Sequence, residues 1–294
     1  MLFNFLKLIL KIALRIFFKE FKVISKTEIP TEGPLIVVGN HPNSFMDPII
    51  LATLLEQDNR FIAKGTLFNS VFKDWFMRNI TRSIPVYRRQ DNAGQSQNND
   101  AIFEQCFLFM EEKGTLIIFP EGTSINERKL QDIKTGAARI ALGVEARNDF
   151  QLGVKILSVG INYSDVTTFR SDVWINVEEL IEVQQYKHEY EKDDRNAVRM
   201  LTQKIQDNLE KNLIITSDQQ EDQFIREVEA IYKNELVSDL GLDPKLHAFT
   251  LTKGIEEAVN HFEDLDNTWL ENLKEKVAAY SLRLRNHNLS LIHI

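Results

Sequence analysis

Two short segments of the chain contain side chains that can move a proton. The first, residues 40–48, has the sequence Asn-His-Pro-Asn-Ser-Phe-Met-Asp-Pro and includes His41 and Asp47. A neutral imidazole accepts a proton from an alcohol near pH 7 when a carboxylate holds its tautomer and stabilises the imidazolium. The pair therefore predicts His41 as a general base with Asp47 as its partner. The structural alternative is that Asp47 and Pro48 only begin a helix, as its N-cap and first residue.

The second segment, residues 119–124, has the sequence Phe-Pro-Glu-Gly-Thr-Ser and combines a carboxylate, a glycine and two hydroxyls. A glycine lets backbone N–H groups approach a phosphate or a developing oxyanion closely, and the carboxylate can orient an acceptor hydroxyl or neighbouring donors. An arginine after a strand can bind a phosphate through two hydrogen bonds, and a lysine near a helix start is a further anion contact. The structural alternatives are that Glu121 only caps a helix and that Arg88 and Lys134 are ordinary exposed cations. The candidate substrate-binding residues are Arg88, Glu121, Gly122, Thr123, Ser124 and Lys134.

Each segment follows a run of apolar, β-branched residues that predicts a buried parallel strand, 35–39 in one case and 115–119 in the other. Ligands of open α/β sheets bind at the carboxyl ends of such strands, where both segments lie. Strands and helices alternate through residues 25–185, so the predicted class is α/β, with a mostly parallel sheet flanked by helices. Further strands are predicted near 22–24, 60–63, 84–88, 154–163 and 172–180, and helices near 48–57, 101–113 and 134–147.

Basic residues are concentrated at the amino terminus of an acidic chain. Residues 1–24 contain five cations against Glu20 alone, a net charge of +4, whereas the whole chain carries −8. The cations recur at about four-residue steps opposite Leu, Ile and Phe, which predicts an amphipathic helix lying on anionic lipid. A terminal helix packed on its own domain is the alternative, and a spanning helix is disfavoured because charges interrupt every apolar run. The five cations are Lys7, Lys11, Arg15, Lys19 and Lys22.

Three domains are predicted: the amphipathic helix 1–24, an α/β domain 25–185 and a helical extension 186–294, with helices near 187–213, 219–238 and 253–285. The last six residues, Leu-Ser-Leu-Ile-His-Ile, equal the translation of a common transposon-based sequencing adapter. We therefore expect the natural carboxyl terminus to be missing.

Composition excludes several functional classes. The negative net charge argues against a nucleic-acid partner. The six histidines show no paired metal-ligand spacing, so no metal site is expected. A single cysteine, Cys106, excludes an internal disulfide and fits a reducing cytosol. With the basic helix, this predicts a peripheral or monotopic protein on the cytoplasmic face of a membrane.

The chain resembles the PlsC-like lysophospholipid/glycerol-phosphate acyltransferase family over about residues 20–185. The family's four sequence blocks occur here in order, at 40–48, 84–89, 119–124 and 156–162. This sequence departs from the family pattern at three points: five residues instead of four separate His41 from Asp47, Ser124 replaces a basic residue, and Ser158 replaces a proline.

The resemblance implies that His41 deprotonates a glycerol hydroxyl, which attacks an acyl thioester directly while Asp47 polarises the imidazole. Arg88 would meet the acceptor phosphate, and Glu121 and Gly122 would shape the acceptor site. The acyl tail would lie in an apolar tunnel reached from the bilayer. The expected co-substrate is acyl-CoA or acyl-carrier protein, with no other cofactor.

The expected acceptor is 1-acyl-glycerol-3-phosphate, with glycerol-3-phosphate, dihydroxyacetone phosphate and other lysolipids left open. Two alternatives are a catalytically inactive membrane scaffold with this fold and an acyl hydrolase. The hydrolase would need a Gly-x-Ser-x-Gly nucleophile turn, which the sequence lacks.

Overall fold

The structure is a computed structural model that describes residues 2–86, 99–239 and 244–286. It divides into two compact units, which we call the sheet unit (1–126 and 130–212) and the helical unit (127–129 and 213–294). The unit boundary falls later in the chain than the predicted boundary at 185, because residues 187–212 pack in the sheet unit.

Across the described residues, the sheet unit contains one eight-stranded sheet in the order β1-β7-β6-β2-β5-β3-β4, with β8 paired to β6. Pairing is parallel everywhere except at β6–β7 and β6–β8, so the predicted α/β class with a mostly parallel sheet is confirmed. The strands are β1 (Glu20–Ser25), β2 (Leu35–Gly39), β3 (Asn59–Lys64), β4 (Ile84–Val86), β5 (Thr115–Ile118), β6 (Lys155–Tyr163), β7 (Asp172–Val177) and β8 (Ile181–Glu182).

Helices cover both faces of the sheet, which is why β2 reads as an unbroken apolar run. Leu35 and Val37 lie in the core cluster that α1 and α2 complete. Ile36 and Val38 point to the opposite face, and α5 packs against β2. The helices are α1 (Leu2–Phe17), α2 (Met46–Leu54), α3 (Val71–Asn79), α4 (Asn99–Glu111), α5 (Gly136–Arg147), α6 (Lys187–Lys192), α7 (Asp194–Lys211), α8 (Gln219–Asp239), α9 (Pro244–Leu265) and α10 (Asn267–Asn286).

The amino-terminal helix α1 is shorter than the predicted 1–24, because Glu20–Ser25 pairs in parallel with Asp172–Val177 and forms an edge strand. Leu14 on the inner face of α1 is buried against the domain. The outer face is apolar too, with side chains 45% to 60% exposed. Those outer residues are Phe5, Leu8, Ile9, Ile12 and Ile16. No helix in the described ranges is long and apolar enough to cross a membrane.

Two of the predicted long helices are each interrupted by an aspartate that caps a new helix. Asp193 separates α6 from α7, and its side chain accepts a hydrogen bond from the Asn196 N–H. Asp266 separates α9 from α10 and accepts from the Trp269 N–H in the same way. The predicted single helices over 187–213 and 253–285 are therefore wrong at these two points. The helical unit has its own small core, formed by Phe224, Ile225, Val259, Leu270 and Val277.

Candidate active site

The two chemically active segments meet because their strands are neighbours. β2 and β5 pair in parallel with Val38 opposite Ile118, so the backbone leaves both strands at the same edge of the sheet. His41 lies just beyond β2 and Glu121 just beyond β5. This carboxyl edge is where the strand-end rule places a ligand site.

His41 and Asp47 form a hydrogen-bonded pair, with 2.9 Å between the imidazole Nδ1 and the carboxylate Oδ2. The extra residue between them is absorbed in a tight turn: the Asn43 N–H donates to Asp47 Oδ2, and Asn43 Oδ1 accepts from the N–H groups of Phe45 and Met46. Helix α2 then begins at Met46 and carries Asp47 back to the imidazole in its first turn. The unusual spacing therefore leaves the pair in contact.

The Asp47 carboxylate is fully buried and held by three donors. Besides the His41 ring and the Asn43 N–H, the Tyr163 hydroxyl donates to Asp47 Oδ1 at 2.6 Å. Burial raises the pKa of Asp47, and the hydrogen bonds from His41, Tyr163 and Asn43 act against that rise. Burial and the nearby carboxylate hold the pKa of Tyr163 well above its usual value, so the phenol keeps its proton and remains a donor.

The contact with Asp47 assigns the two ring nitrogens of His41 different tasks. Nδ1–H donates to the carboxylate, so in the neutral ring the lone pair lies on Nε2, as a general base requires. In the described part of the chain, no hydrogen bond occupies Nε2. The ring stacks on Phe119 with 4.1 Å between centroids, and the side chain is 16% exposed. The imidazole ring is thus fixed in orientation and remains partly exposed.

Glu121 ties the two loops together. Its Oε1 accepts the His41 backbone N–H at 2.7 Å, and its Oε2 accepts the Gln131 N–H at 3.0 Å. Burial raises the pKa of this carboxyl group, while the Gln131 and His41 hydrogen bonds oppose the rise. The sequence suggested that Glu121 orients either an acceptor hydroxyl or neighbouring donors. Its two hydrogen bonds to backbone N–H groups are those expected of the second role.

The other predicted binding residues surround this contact at different depths. Gly122 has a φ of 76°, which favours glycine, and its N–H donates to the Phe119 carbonyl. Thr123 is exposed and Ser124 is half-buried. The next residue, Ile125, donates its N–H to the His41 carbonyl, which holds this loop next to His41.

Lys134 is exposed just before α5, and its N–H donates to the Pro120 carbonyl. Its backbone is therefore fixed to the Glu121 loop while its charged side chain remains in solvent. Arg88 and the end of the predicted strand 84–88 lie outside the described residues.

Sequence reasoning missed two residues that hold the site. Tyr163 ends β6, and Asn40 clamps the His41 loop to β6 through hydrogen bonds to both the N–H and the carbonyl of Ile161. Both residues are polar and stand at carboxyl ends of strands adjacent to one another. The strand-end rule that identified His41 would have identified Tyr163 had it been applied to β6.

The fold and the site define a class: an α/β domain with a hydrogen-bonded His–Asp pair at the carboxyl edge of its sheet. A family model described as Acyltransferase matches residues 20–162, and this match confirms the predicted resemblance to that family over this part of the chain.

Two curated relatives come from Saccharomyces cerevisiae. Glycerol-3-phosphate O-acyltransferase 1 is 25% identical over 197 residues, which is 65% of this chain and 25% of the relative. Glycerol-3-phosphate O-acyltransferase 2 is 34% identical over 113 residues, 38% of this chain and 15% of the relative. The chain thus spans a quarter or less of their lengths.

Among solved structures, the 1-acyl-sn-glycerophosphate (LPA) acyltransferase PlsC from Thermotoga maritima is similar, at 21% identity and a TM-score of 0.43. The similar region covers 68% of this chain and 79% of that one.

Proposed function

We propose that the chain is an O-acyltransferase that moves a fatty acyl group from a thioester, acyl-CoA or acyl-carrier protein, to a hydroxyl of a glycerol phosphate in phospholipid synthesis. The observation that carries this proposal is the oriented pair, a buried carboxylate 2.9 Å from an imidazole whose side chain stays 16% exposed. The preferred acceptor is 1-acyl-glycerol-3-phosphate. Glycerol-3-phosphate is the competing acceptor, because the two curated relatives are named after it.

In the proposed reaction, the acceptor hydroxyl gives its proton to Nε2 of His41 as its oxygen attacks the thioester carbonyl. Asp47 stabilises the imidazolium that forms, because its carboxylate already accepts the Nδ1 proton. The tetrahedral intermediate then collapses, the C–S bond breaks, and the imidazolium returns the proton to the departing sulfur. The acyl group is thus transferred with no net change in the enzyme.

Direct transfer is supported by the state of the only cysteine. Cys106 is buried in α4, and burial raises the pKa of its thiol to about 12. A thiol with this pKa supplies almost no thiolate near neutral pH and makes a poor nucleophile. A covalent acyl-cysteine intermediate therefore forms no part of the proposal, and the transfer itself requires no metal or redox cofactor.

The proposed location is a membrane surface, with α1 as the contact. The outer face of α1 exposes Phe5, Leu8, Ile9, Ile12 and Ile16. The exposed cations Lys11 and Arg15 lie beside that face, where they would meet anionic head groups. Lys7 is directed elsewhere, because its Nζ donates to the Leu55 carbonyl.

The test is transfer of a radiolabelled acyl group to a panel of acceptors, with lipid vesicles present and both thioester donors tried. The panel contains lysophosphatidate, glycerol-3-phosphate, dihydroxyacetone phosphate and lysophosphatidylcholine. His41→Ala should reduce transfer by about 10²–10⁴-fold, the usual contribution of a general base. His188→Ala, at an exposed position in α6, is the matched control and should behave like wild type.

The other functions give different results in the same assay. An acyl hydrolase would release free fatty acid at the same rate with or without acceptor. A catalytically inactive scaffold would give no product with any acceptor or donor while still binding vesicles. Transfer that disappears in excess EDTA would contradict the metal-free reaction.

A further inference from the structure

The segment between β3 and β4 exposes an apolar surface that the proposed reaction does not use. Five apolar side chains on the 3-10 turn at Gly65–Phe68 and on α3 are between 42% and 90% exposed. None of the residues of α3 is buried, although a helix of a globular domain normally buries an apolar stripe. We call these five residues the α3 ridge: Leu67, Val71, Phe72, Trp75 and Phe76.

The ridge residues of α3 form one continuous face. Phe72, Trp75 and Phe76 follow the i, i+3, i+4 spacing of neighbours on a helix surface, and the Phe72 and Trp75 rings stack with 6.4 Å between centroids. Together the five side chains expose on the order of 600 Å², given roughly 150–250 Å² for a whole aromatic side chain. Patches of this size on soluble domains mark interaction sites.

Positive charge accompanies the ridge. Residues 58–82 contain five cations against Asp58 and Asp74, a net charge of +3 within a chain of −8, and Arg82 pairs with Asp58. Lys73 and Arg78 lie on α3 itself, and the Arg78 guanidinium lies 5.4 Å from the centroid of the Phe68 ring while pairing with Asp74. The five cations are Arg60, Lys64, Lys73, Arg78 and Arg82. Exposed aromatic rings beside cations are the chemistry of an anionic membrane interface.

The α3 ridge also lies after the carboxyl end of a strand, at the edge of the sheet where the candidate site is found. β3 pairs in parallel with β5, so α3 follows the carboxyl end of β3 just as Glu121 follows the carboxyl end of β5. Phe45, in the loop between His41 and Asp47, is 81% exposed at the same edge. A lipid surface against this edge would meet the ridge and the entrance to His41 together.

We infer that the α3 ridge inserts into the surface of an anionic phospholipid bilayer, as a membrane contact separate from α1. A second copy of the chain is a weaker occupant, because the ridge offers less than the roughly 800 Å² per partner of a stable interface. The net charge of +3 around it would also repel the same surface of another copy. Lipid binding requires no turnover, so this inference holds or fails independently of the proposed reaction.

The test is cosedimentation of the whole chain with phosphatidylcholine vesicles, with and without phosphatidylglycerol. Phe72→Gln combined with Trp75→Gln should weaken binding to the anionic vesicles by at least about tenfold, because two inserted aromatic rings are lost. Both positions are exposed, so the fold should be unaffected, which circular dichroism and thermal unfolding check. Leu265→Gln combined with Leu282→Gln, at exposed positions in α9 and α10, is the matched control and should bind like wild type.

Tryptophan fluorescence reports insertion directly. Binding to vesicles should shift the wild-type emission to shorter wavelength and make it quenchable by lipids with brominated acyl chains. Trp75→Phe should still bind but lose that shift, because the other two tryptophans, Trp174 and Trp269, lie elsewhere. His41→Ala should bind and shift like wild type, which separates lipid binding from catalysis.

Three outcomes would overturn the inference. One is equal vesicle binding by wild type and the ridge double variant, and another is a Trp75 emission that stays unchanged on bound vesicles. The third is a wild-type dimer, by light scattering, that the ridge substitutions convert to a monomer without changing vesicle binding. That result would assign the ridge to a second copy of the chain.

Discussion

Replacing Asp47 by Asn tests the proposed mechanism while keeping His41, the proposed base. Asp47 Oδ2 accepts from His41 and Asn43, and Oδ1 accepts from the Tyr163 hydroxyl. In Asp47→Asn, the amide nitrogen can replace Oδ1, because the Tyr163 hydroxyl can rotate and accept a hydrogen bond. The remaining oxygen still accepts the His41 Nδ1 proton, so the imidazole keeps its tautomer. What disappears is the negative charge.

The expected loss follows from that charge. Two unit charges about 4 Å apart at an effective dielectric of about 20 interact by about 4 kcal/mol. Removing this stabilisation of the imidazolium should lower kcat about 10³-fold. KM for the acceptor should change little, because Asp47 is buried behind the imidazole.

The assay is acyl transfer followed as kcat and KM, with thermal unfolding to verify the fold. Asp132→Asn, at an exposed loop position, is the matched control and should retain wild-type values. Asp47→Asn with kcat within about threefold of wild type would refute the role assigned to Asp47.

Three further predictions concern residues around the pair. Tyr163→Phe leaves Asp47 Oδ1 buried without its donor, which should destabilise the protein by about 2 kcal/mol and lower kcat about tenfold in thermal and kinetic measurements. Glu121→Gln keeps only one acceptor oxygen for two backbone N–H groups, so kcat and stability should fall while KM for the acceptor stays nearly constant. Cys106, with a pKa raised to about 12, should react with a thiol reagent at pH 8 only after unfolding, as a denaturant series would measure. Above about pH 9 the Cys106 thiol ionises in the unfolded chain but stays protonated in the folded one. Its contribution to the free energy of unfolding therefore falls as the pH rises.

Each of these predictions has a control and a contradicting result. Tyr190→Phe, whose ring packs on Phe150, should leave kcat unchanged, and an equal loss in both tyrosine variants would remove the special role of Tyr163. A large rise in KM for Glu121→Gln would mean that this carboxylate contacts the acceptor. Rapid labelling of native Cys106 would show that α4 opens readily or that the thiol is less buried.

Local sequence was sufficient wherever short-range patterns carry the information. The apolar run of β2, the polar segment after it and the glycine at Gly122 were all readable, because strand burial and backbone conformation depend on adjacent residues. The end of α1 at Phe17 and the helix breaks at Asp193 and Asp266 were not predicted from the sequence. Strand β1 starts at Glu20, before the strand predicted near 22–24, because Glu20–Ser25 pairs with β7 along its whole length. Asp193 and Asp266 lie within charged stretches that favour helix on both sides, so neither was recognised as the cap of a new helix.

The sequence by itself determined which groups are present: a histidine and an aspartate after one parallel strand, and a glutamate and a glycine after another. Only the tertiary structure decided which contacts those groups make. The register of β2 against β5 brings Glu121 to the His41 backbone, and the end of β6 brings the Tyr163 hydroxyl to Asp47. These contacts join residues 80 and 116 positions apart, so strand order and register fix them, and neither is encoded in any local pattern.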